Sequence, residues 1–188
     1  NLSNGIPVLV LIRDLLNVAQ NRKEVKKVIH DREILLNEKP VKDEKQGVLL
    51  FDTLSLVPSG NFYRLGLTEK GKFRLEEIKK EEAGHKIAKI VDKRILKGKK
   101  VQLNLSDGKN LLSDISCGVN DSIVFNFKKK SADKCLAMKE KGKVIVFAGK
   151  HSGTKGVIEK IDKEKKMAEL NAEDKKINVL IKQIMVID

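Results

Sequence analysis

At 188 residues, 40% hydrophobic and 35% charged, the chain can form one large domain or two or three small ones, and no run of about 18 or more apolar residues is present to span a membrane. Lys and Arg outnumber Asp and Glu by 39 to 26, a net charge of +13; such a field gathers polyanions and makes the phosphate backbone of nucleic acid the default partner, against the competing reading of a lysine-rich surface that serves solubility. Six Phe, one Tyr and no Trp leave few platforms for splayed bases, so reading of the backbone and shape of folded RNA or DNA is favoured over base-by-base reading.

The first stretch, NLSNGIPVLVLIRDLL, has no basic leader and no small-residue cleavage site, and Arg13 and Asp14 fit a helix better than a signal peptide. With no initiating Met, the chain is expected to have been trimmed upstream. Pro7 suits a first helical turn, and Val8, Ile12, Leu15 and Leu16 recur at helical spacing. A second helix is announced by Asn21 with Glu24 three residues on, the pattern of a capping box with Asn as the cap. In RKEVKKVI the apolar Val25, Val28 and Ile29 share one stripe, while Arg22 and Lys26, and likewise Lys23 and Lys27, stand at i,i+4 on the others. This helix is predicted to bury one side and present the other as a cationic ridge. EILLNEKPV follows, where Asn37 and Pro40 predict a tight turn between short strands. Residues 1–58 hold nine basic against eight acidic residues, so their cations are concentrated on one helix and not in excess overall.

Residues 59–140 carry most of the surplus, 19 basic against 11 acidic. LEEIKKEEA reads as a short helix. VQLNLS alternates, with Val101, Leu103 and Leu105 on one face, and Asp107-Gly108 is a hairpin turn signal. SIVFNFKKK reads as a strand ending in an exposed lysine run that discourages edge pairing. Cys117 and Cys135 lack CxxC spacing and are expected as separate thiols, and His30, His85 and His151 form no ligand motif, so neither metal nor cofactor is expected.

Residues 141–188, 11 basic against seven acidic, contain KVIVFA, VIEKID, MAEL and NVLIKQIMVID between Gly-rich or charged connectors, the pattern of a small antiparallel barrel. The connector GKHSGTKG, residues 149–156, is no phosphate-cradling nucleotide loop, because Gly149-Lys150 is followed by His151 and then by strand-like sequence. A plain turn explains its glycines. Its cations and hydroxyls, Lys150, His151, Ser152, Thr154 and Lys155, together with free backbone N–H groups, could meet phosphate oxygens, whereas Gly156 is read as a backbone requirement.

Residues 141–162, KGKVIVFAGKHSGTKGVIEKID, resemble a KOW motif, the strand-loop-strand unit of ribosomal proteins and transcription elongation factors, with Gly156 at its central glycine. Residues 11–41 resemble the S-four RNA-binding domain, and the resemblance maps RNA contact onto Arg22, Lys23, Lys26, Lys27 and Arg32, with Arg13 joining them. Arg32 stands where that family often has Gly, and Asn37-Glu38 where it often has Asn-Gly; Glu at a positive φ costs on the order of 1 kcal/mol. With QLNLSDGKNLL between them, the two motifs in this order are similar to the archaeal and eukaryotic small-subunit ribosomal protein family S-four-e, in which His usually stands where this chain has Ser106.

The resemblance implies a multi-domain α+β fold: an S-four-like RNA-binding domain at 1–58, a β-rich central domain at 59–140 and a C-terminal SH3-like KOW barrel at 141–188. It further implies a cytoplasmic, ribosome-associated structural component that binds small-subunit rRNA beside neighbouring ribosomal proteins, with a basic N-terminal stretch upstream. The isolated chain is expected to be a monomer without catalytic residues. The rival readings are a pseudouridine synthase-like RNA-modifying enzyme, for which no Ser/His/Asp set or paired-carboxylate motif is found, and a KOW-type transcription factor, which has no need of the basic helix.

Overall fold

The computed structural model describes residues 5–172 and 175–188. They divide into two compact units: the first runs to Gly66 and resumes over Phe73–Lys86, and the second comprises Leu67–Lys72 with Ile87–Asp188.

In the first unit, strand β1 (Gly5–Pro7) leads into α1 (Val8–Val10) and a wider π turn over Leu11–Leu15. Pro7, extended at φ −63 and ψ 144, can begin a helix because the N–H it lacks would have no partner there. Val8, Leu11 and Ile12 are buried, but Leu15, expected on the same stripe, is exposed. The i→i+5 bond from Leu16 N to Leu11 O (2.9 Å) explains this: the extra residue in the turn rotates Leu15 off the inner face.

Helix α2 (Arg22–His30) starts as the sequence predicts. Asn21 is extended, and its side chain accepts from Glu24 N at 3.1 Å, while the Glu24 carboxylate accepts from Gln20 N (2.7 Å) and Asn21 Nδ2 (2.6 Å). Val25 and Ile29 enter the core with Ile12, Ile34, Leu54 and Leu65, each such burial being worth about 1.5–3 kcal/mol.

The chain continues through β2 (Ile34–Leu36), β3 (Lys39–Pro40), β4 (Gly47–Leu49), β5 (Thr53–Leu56), β6 (Asn61–Leu67) and β7 (Phe73–Ile78). β4 pairs with β1, and the other five make a sheet of order β3-β2-β5-β6-β7. Between β2 and β3, Asn37 (φ 52) and Glu38 (φ 61) are both left-handed, as a two-residue hairpin turn of the primed type requires, and Arg32 is left-handed too (φ 57). Asn37 anchors that turn: it donates to Asp52 Oδ1 (2.9 Å) and accepts from Thr53 N (3.0 Å). Asp52 is itself buried and holds the buried Lys86 ammonium at 2.8 Å.

The helix expected over LEEIKKEEA is a correction. Phe73–Ile78 is the edge strand β7, whose Phe73 and Leu75 pack against the core, and only Lys80–Ala83 forms a single helical turn, α3. Sheet pairing overrides the helix propensity of Leu, Glu and Lys.

In the second unit, which β8 (His85–Ile95) enters at Ile87, that strand forms with β9 (Val101–Leu105), β10 (Asn110–Leu112), β11 (Ser122–Asn126) and β12 (Ser131–Leu136) a sheet of order β10-β9-β8-β11-β12. Leu103 and Leu105 are buried as the alternation predicts, and Gly108 (φ 82) makes the turn after Asp107. Lys128–Lys130 are not a strand terminus; they lie in the β11–β12 turn, where Asn126 Oδ1 accepts from Lys128 N and Lys129 N at 3.0 Å. Cys117 and Cys135 are a second correction: they are joined as a disulfide (Sγ–Sγ 2.25 Å), brought together because the connector before β11 and strand β12 pack on the same core.

β13 (Lys143–Val146), β14 (Lys155–Asp162), β15 (Met167–Ala172), β16 (Lys175–Leu180) and β17 (Ile184–Val186) form an antiparallel sheet of order β16-β15-β14-β13-β17. A 3-10 turn at Ile181–Gln183 divides NVLIKQIMVID into two strands. The buried Lys89 on β8 donates to Ile181 O (2.5 Å) and Ile184 O (2.7 Å), tying that turn to the neighbouring sheet. Burial lowers the Lys89 pKa to about 8. Protonated Lys89 therefore opposes folding below that pH, and stability gains as pH rises from about 8 toward the unfolded value.

Candidate nucleic-acid interface

The buried stripe of α2 fixes which side chains face solvent: Arg22, Lys23, Lys26 and Lys27 are all exposed, with Arg32 exposed just past the helix end. They are not equivalent. Glu44, only 9% exposed at its side chain, lies beneath the helix and accepts from Arg22 Nε (3.0 Å) and Nη2 (2.5 Å), with Lys26 Nζ at 3.7 Å. The Arg22 hydrogen bonds, assisted by the Lys26 charge, hold the Glu44 carboxyl down at about 2. Arg13 is likewise engaged, gripping Asp14 bidentately at 2.6 and 2.9 Å and holding that carboxyl below the usual range. Lys23, Lys27 and Arg32 make no ion pair among the described residues, and they form the accessible part of the ridge.

The connector between β13 and β14 is built differently. Its neck is closed by Gly153 N donating to Val146 O (2.7 Å) and Val146 N to Thr154 O (2.9 Å), and within it Ser152 N donates to Gly149 O and Thr154 N to His151 O, both at 3.1 Å. The N–H groups expected to face phosphate are therefore used by the loop itself at Ser152, Gly153 and Thr154. Gly153 (φ 92) is buried against the turn at Thr68–Gly71, where a Cβ would lie 1.9 Å from Thr68 O, and Ser152 rests on Gly71. His151, Ser152 and Thr154 are half-buried, so of the five side chains singled out in this connector Lys150 and Lys155 are the exposed ones. Gly156 is the second residue of β14, and a Cβ there would meet Asn171 O at 2.7 Å, which is the backbone requirement read from the sequence.

The model of Ribosomal family S4e matches residues 59–132. The small ribosomal subunit protein eS4 of Nanoarchaeum equitans is 34% identical over 159 residues, 85% of this chain and 68% of that protein. The chain belongs to the eS4 family. The protein of the same name from Methanothermobacter thermautotrophicus is 35% identical over 161 residues, 86% of this chain and 66% of its own length, so the chain spans about two thirds of such relatives. The crystal structure of the 30S ribosomal protein S4e from Thermoplasma acidophilum has the same fold, with a TM-score of 0.83 at 22% identity over 98% of this chain and 95% of that one.

Three features of this eS4 family member are absent from the residues singled out in its sequence. Glu44 neutralises part of the ridge; its one signal is an acid placed near a basic helix in a segment of nearly balanced charge. The Thr68–Gly71 turn, which consumes much of the glycine-rich connector, has only Gly71 as a cue. The β8–β9 hairpin ends in the exposed run LKGKK, and its signal is a stretch from Lys93 to Ser106 with no acidic residue. Among the described residues, no three His, Cys, Asp or Glu side chains gather as a metal site, and no helix is long and apolar enough to cross a membrane.

Proposed function

We propose that the chain is a structural component of the small ribosomal subunit in the cytoplasm that holds rRNA by its sugar-phosphate backbone and catalyses nothing. The observation that carries this reading is the exposed cationic face of α2, where Lys23, Lys27 and the neighbouring Arg32 make no ion pair among the described residues, on a member of a family whose relatives are named small ribosomal subunit proteins. Lys23, Lys27 and Arg32 supply the principal phosphate contacts, because ammonium and guanidinium groups already in water lose little on meeting a phosphate. Arg22 and Lys26 contribute after partial release from Glu44, and Arg13 after release from Asp14. Lys150 and Lys155 add a second contact, in which His151, Ser152 and Thr154 shape the loop more than they touch RNA. The finer division into an S-four-like domain, a β-rich centre and a KOW barrel is supported by the three five-stranded sheets. The isolated chain is a monomer, and its partners are rRNA and the proteins beside it.

Co-sedimentation tests this. Tagged chain expressed in an archaeal host is expected in the small-subunit fraction of a sucrose gradient and to survive a low-salt wash. Recovery only at the top of the gradient contradicts the proposal.

A further inference from the structure

Strands β8 and β9 carry a third cationic element, distinct from α2 and from the β13–β14 loop. From Val91 onward β8 leaves its core: Val91 and Lys93–Ile95 are exposed and only Asp92 is half-buried. The ladder nevertheless continues, pairing Asp92 with Asn104, Arg94 with Gln102 and Ile95 with Val101, and Leu96 N closes the tip on Lys100 O at 2.8 Å. Gly98 (φ 78) and Lys99 (φ 60) turn the chain in the left-handed region, so the tip has one defined shape. Lys93 is held by Cys117 O (3.0 Å) and Arg94 by Asp92 (3.1 Å). Lys97, Lys99 and Lys100 make no ion pair among the described residues. Beside them Ile95 is 77% exposed and Leu96 40% exposed, two large aliphatic side chains that the fold leaves in water.

We propose that this hairpin tip is a docking element for double-helical RNA. Three ammonium groups within four residues, with no acid from Lys93 to Ser106, complement phosphate and repel a basic protein partner. A narrow two-stranded tip suits the wide, shallow minor groove of an A-form helix, where recognition is by shape, phosphate and 2′-hydroxyl. There Lys97, Lys99 and Lys100 meet the flanking phosphates, and Ile95 and Leu96 lie against the sugars. The inference rests on the rRNA-binding reading and adds to it a third RNA contact of stated chemistry.

The test uses the full chain with a labelled RNA duplex of about 20 bp, its single strand, and whole small-subunit rRNA from an archaeal relative, each over a salt series. Lys97→Ala/Lys99→Ala/Lys100→Ala is expected to weaken duplex binding at least about tenfold at low salt and to make the log–log salt slope shallower by about 2. Ile95→Ser is expected to weaken it several-fold with the slope unchanged, since no charge is lost. Neither should move the thermal midpoint, because these side chains are exposed. If the triple variant binds duplex as the parent does while Lys23→Ala/Lys27→Ala loses rRNA affinity, the hairpin inference is overturned and the proposed function stands. If the triple variant keeps its duplex affinity but fails to enter small subunits, the tip contacts protein, and the RNA assignment is again overturned. If the parent chain binds none of the three RNAs, both readings fall.

Discussion

Helix α2 and the β13–β14 connector carry similar ingredients, lysines beside residues that shape the backbone, yet the fold uses them in opposite ways. In α2 the backbone groups are satisfied within the helix and the apolar stripe is buried, so Lys23 and Lys27 project without a structural task. In the connector the polar atoms are themselves the structure: Ser152, Gly153 and Thr154 use their N–H groups locally, and Gly153 fills a space that no side chain could enter. Composition alone therefore overstates a loop as a site. A cation on a regular element is available by default, whereas a loop residue is available only after the loop's own hydrogen bonds have been counted.

The strongest break of this comparison is Gly153→Ala. A Cβ 1.9 Å from Thr68 O, on a residue with φ 92, demands backbone movement, so the second unit should lose about 3 kcal/mol or more in denaturant unfolding. A loss under about 1 kcal/mol would mean that the connector is freer than its packing indicates.

Next comes Lys23→Ala/Lys27→Ala, expected to weaken rRNA binding about tenfold at low salt while leaving the melting temperature within about 2 °C, because both side chains are in solvent. Lys150→Ala/Lys155→Ala should act in the same direction but more weakly, about threefold, and equally on unrelated RNA sequences, since phosphate contacts carry little sequence information. A larger loss from the loop pair than from the helix pair would reverse the comparison.

Asn21→Ala removes the cap that orders the first turn of α2 and should cost about 1 kcal/mol of stability by thermal or denaturant melting.

The smallest effect is pH-dependent. Glu44 titrates at about 2 in the fold against an ordinary value of 4.5, so its contribution to stability is complete above the ordinary value and is lost as pH falls toward 2. Glu44→Gln should flatten that part of the acid-melting profile. It should also strengthen rRNA binding slightly at neutral pH by releasing Arg22 and Lys26.

What the sequence made legible was local. Asn21 and Glu24 announced α2 because a cap is made by near neighbours, and Asn37 with Pro40, like Asp107-Gly108, marked turns because Asn37 and Gly108 take up left-handed backbone there. The alternation of β9 gave its buried face. What stayed hidden depended on partners far along the chain. Phe73–Ile78 is a strand only because β6 lies beside it, Lys86 and Lys89 are buried only because Asp52 and the Ile181 and Ile184 carbonyls receive them, and Gly153 is closed off by a turn more than 80 residues earlier. The candidate contacts on α2 were readable as a face; that Glu44 occupies two of them was not.

If phosphate is gripped by charge, the affinity of the intact chain for small-subunit rRNA from an archaeal relative falls steeply between about 50 and 200 mM monovalent salt. With each contact contributing a slope of about −0.7 to −0.9, a log–log slope of about −3 or steeper is predicted. A slope near zero, with affinity retained, would mean that the RNA is held by something other than these cations.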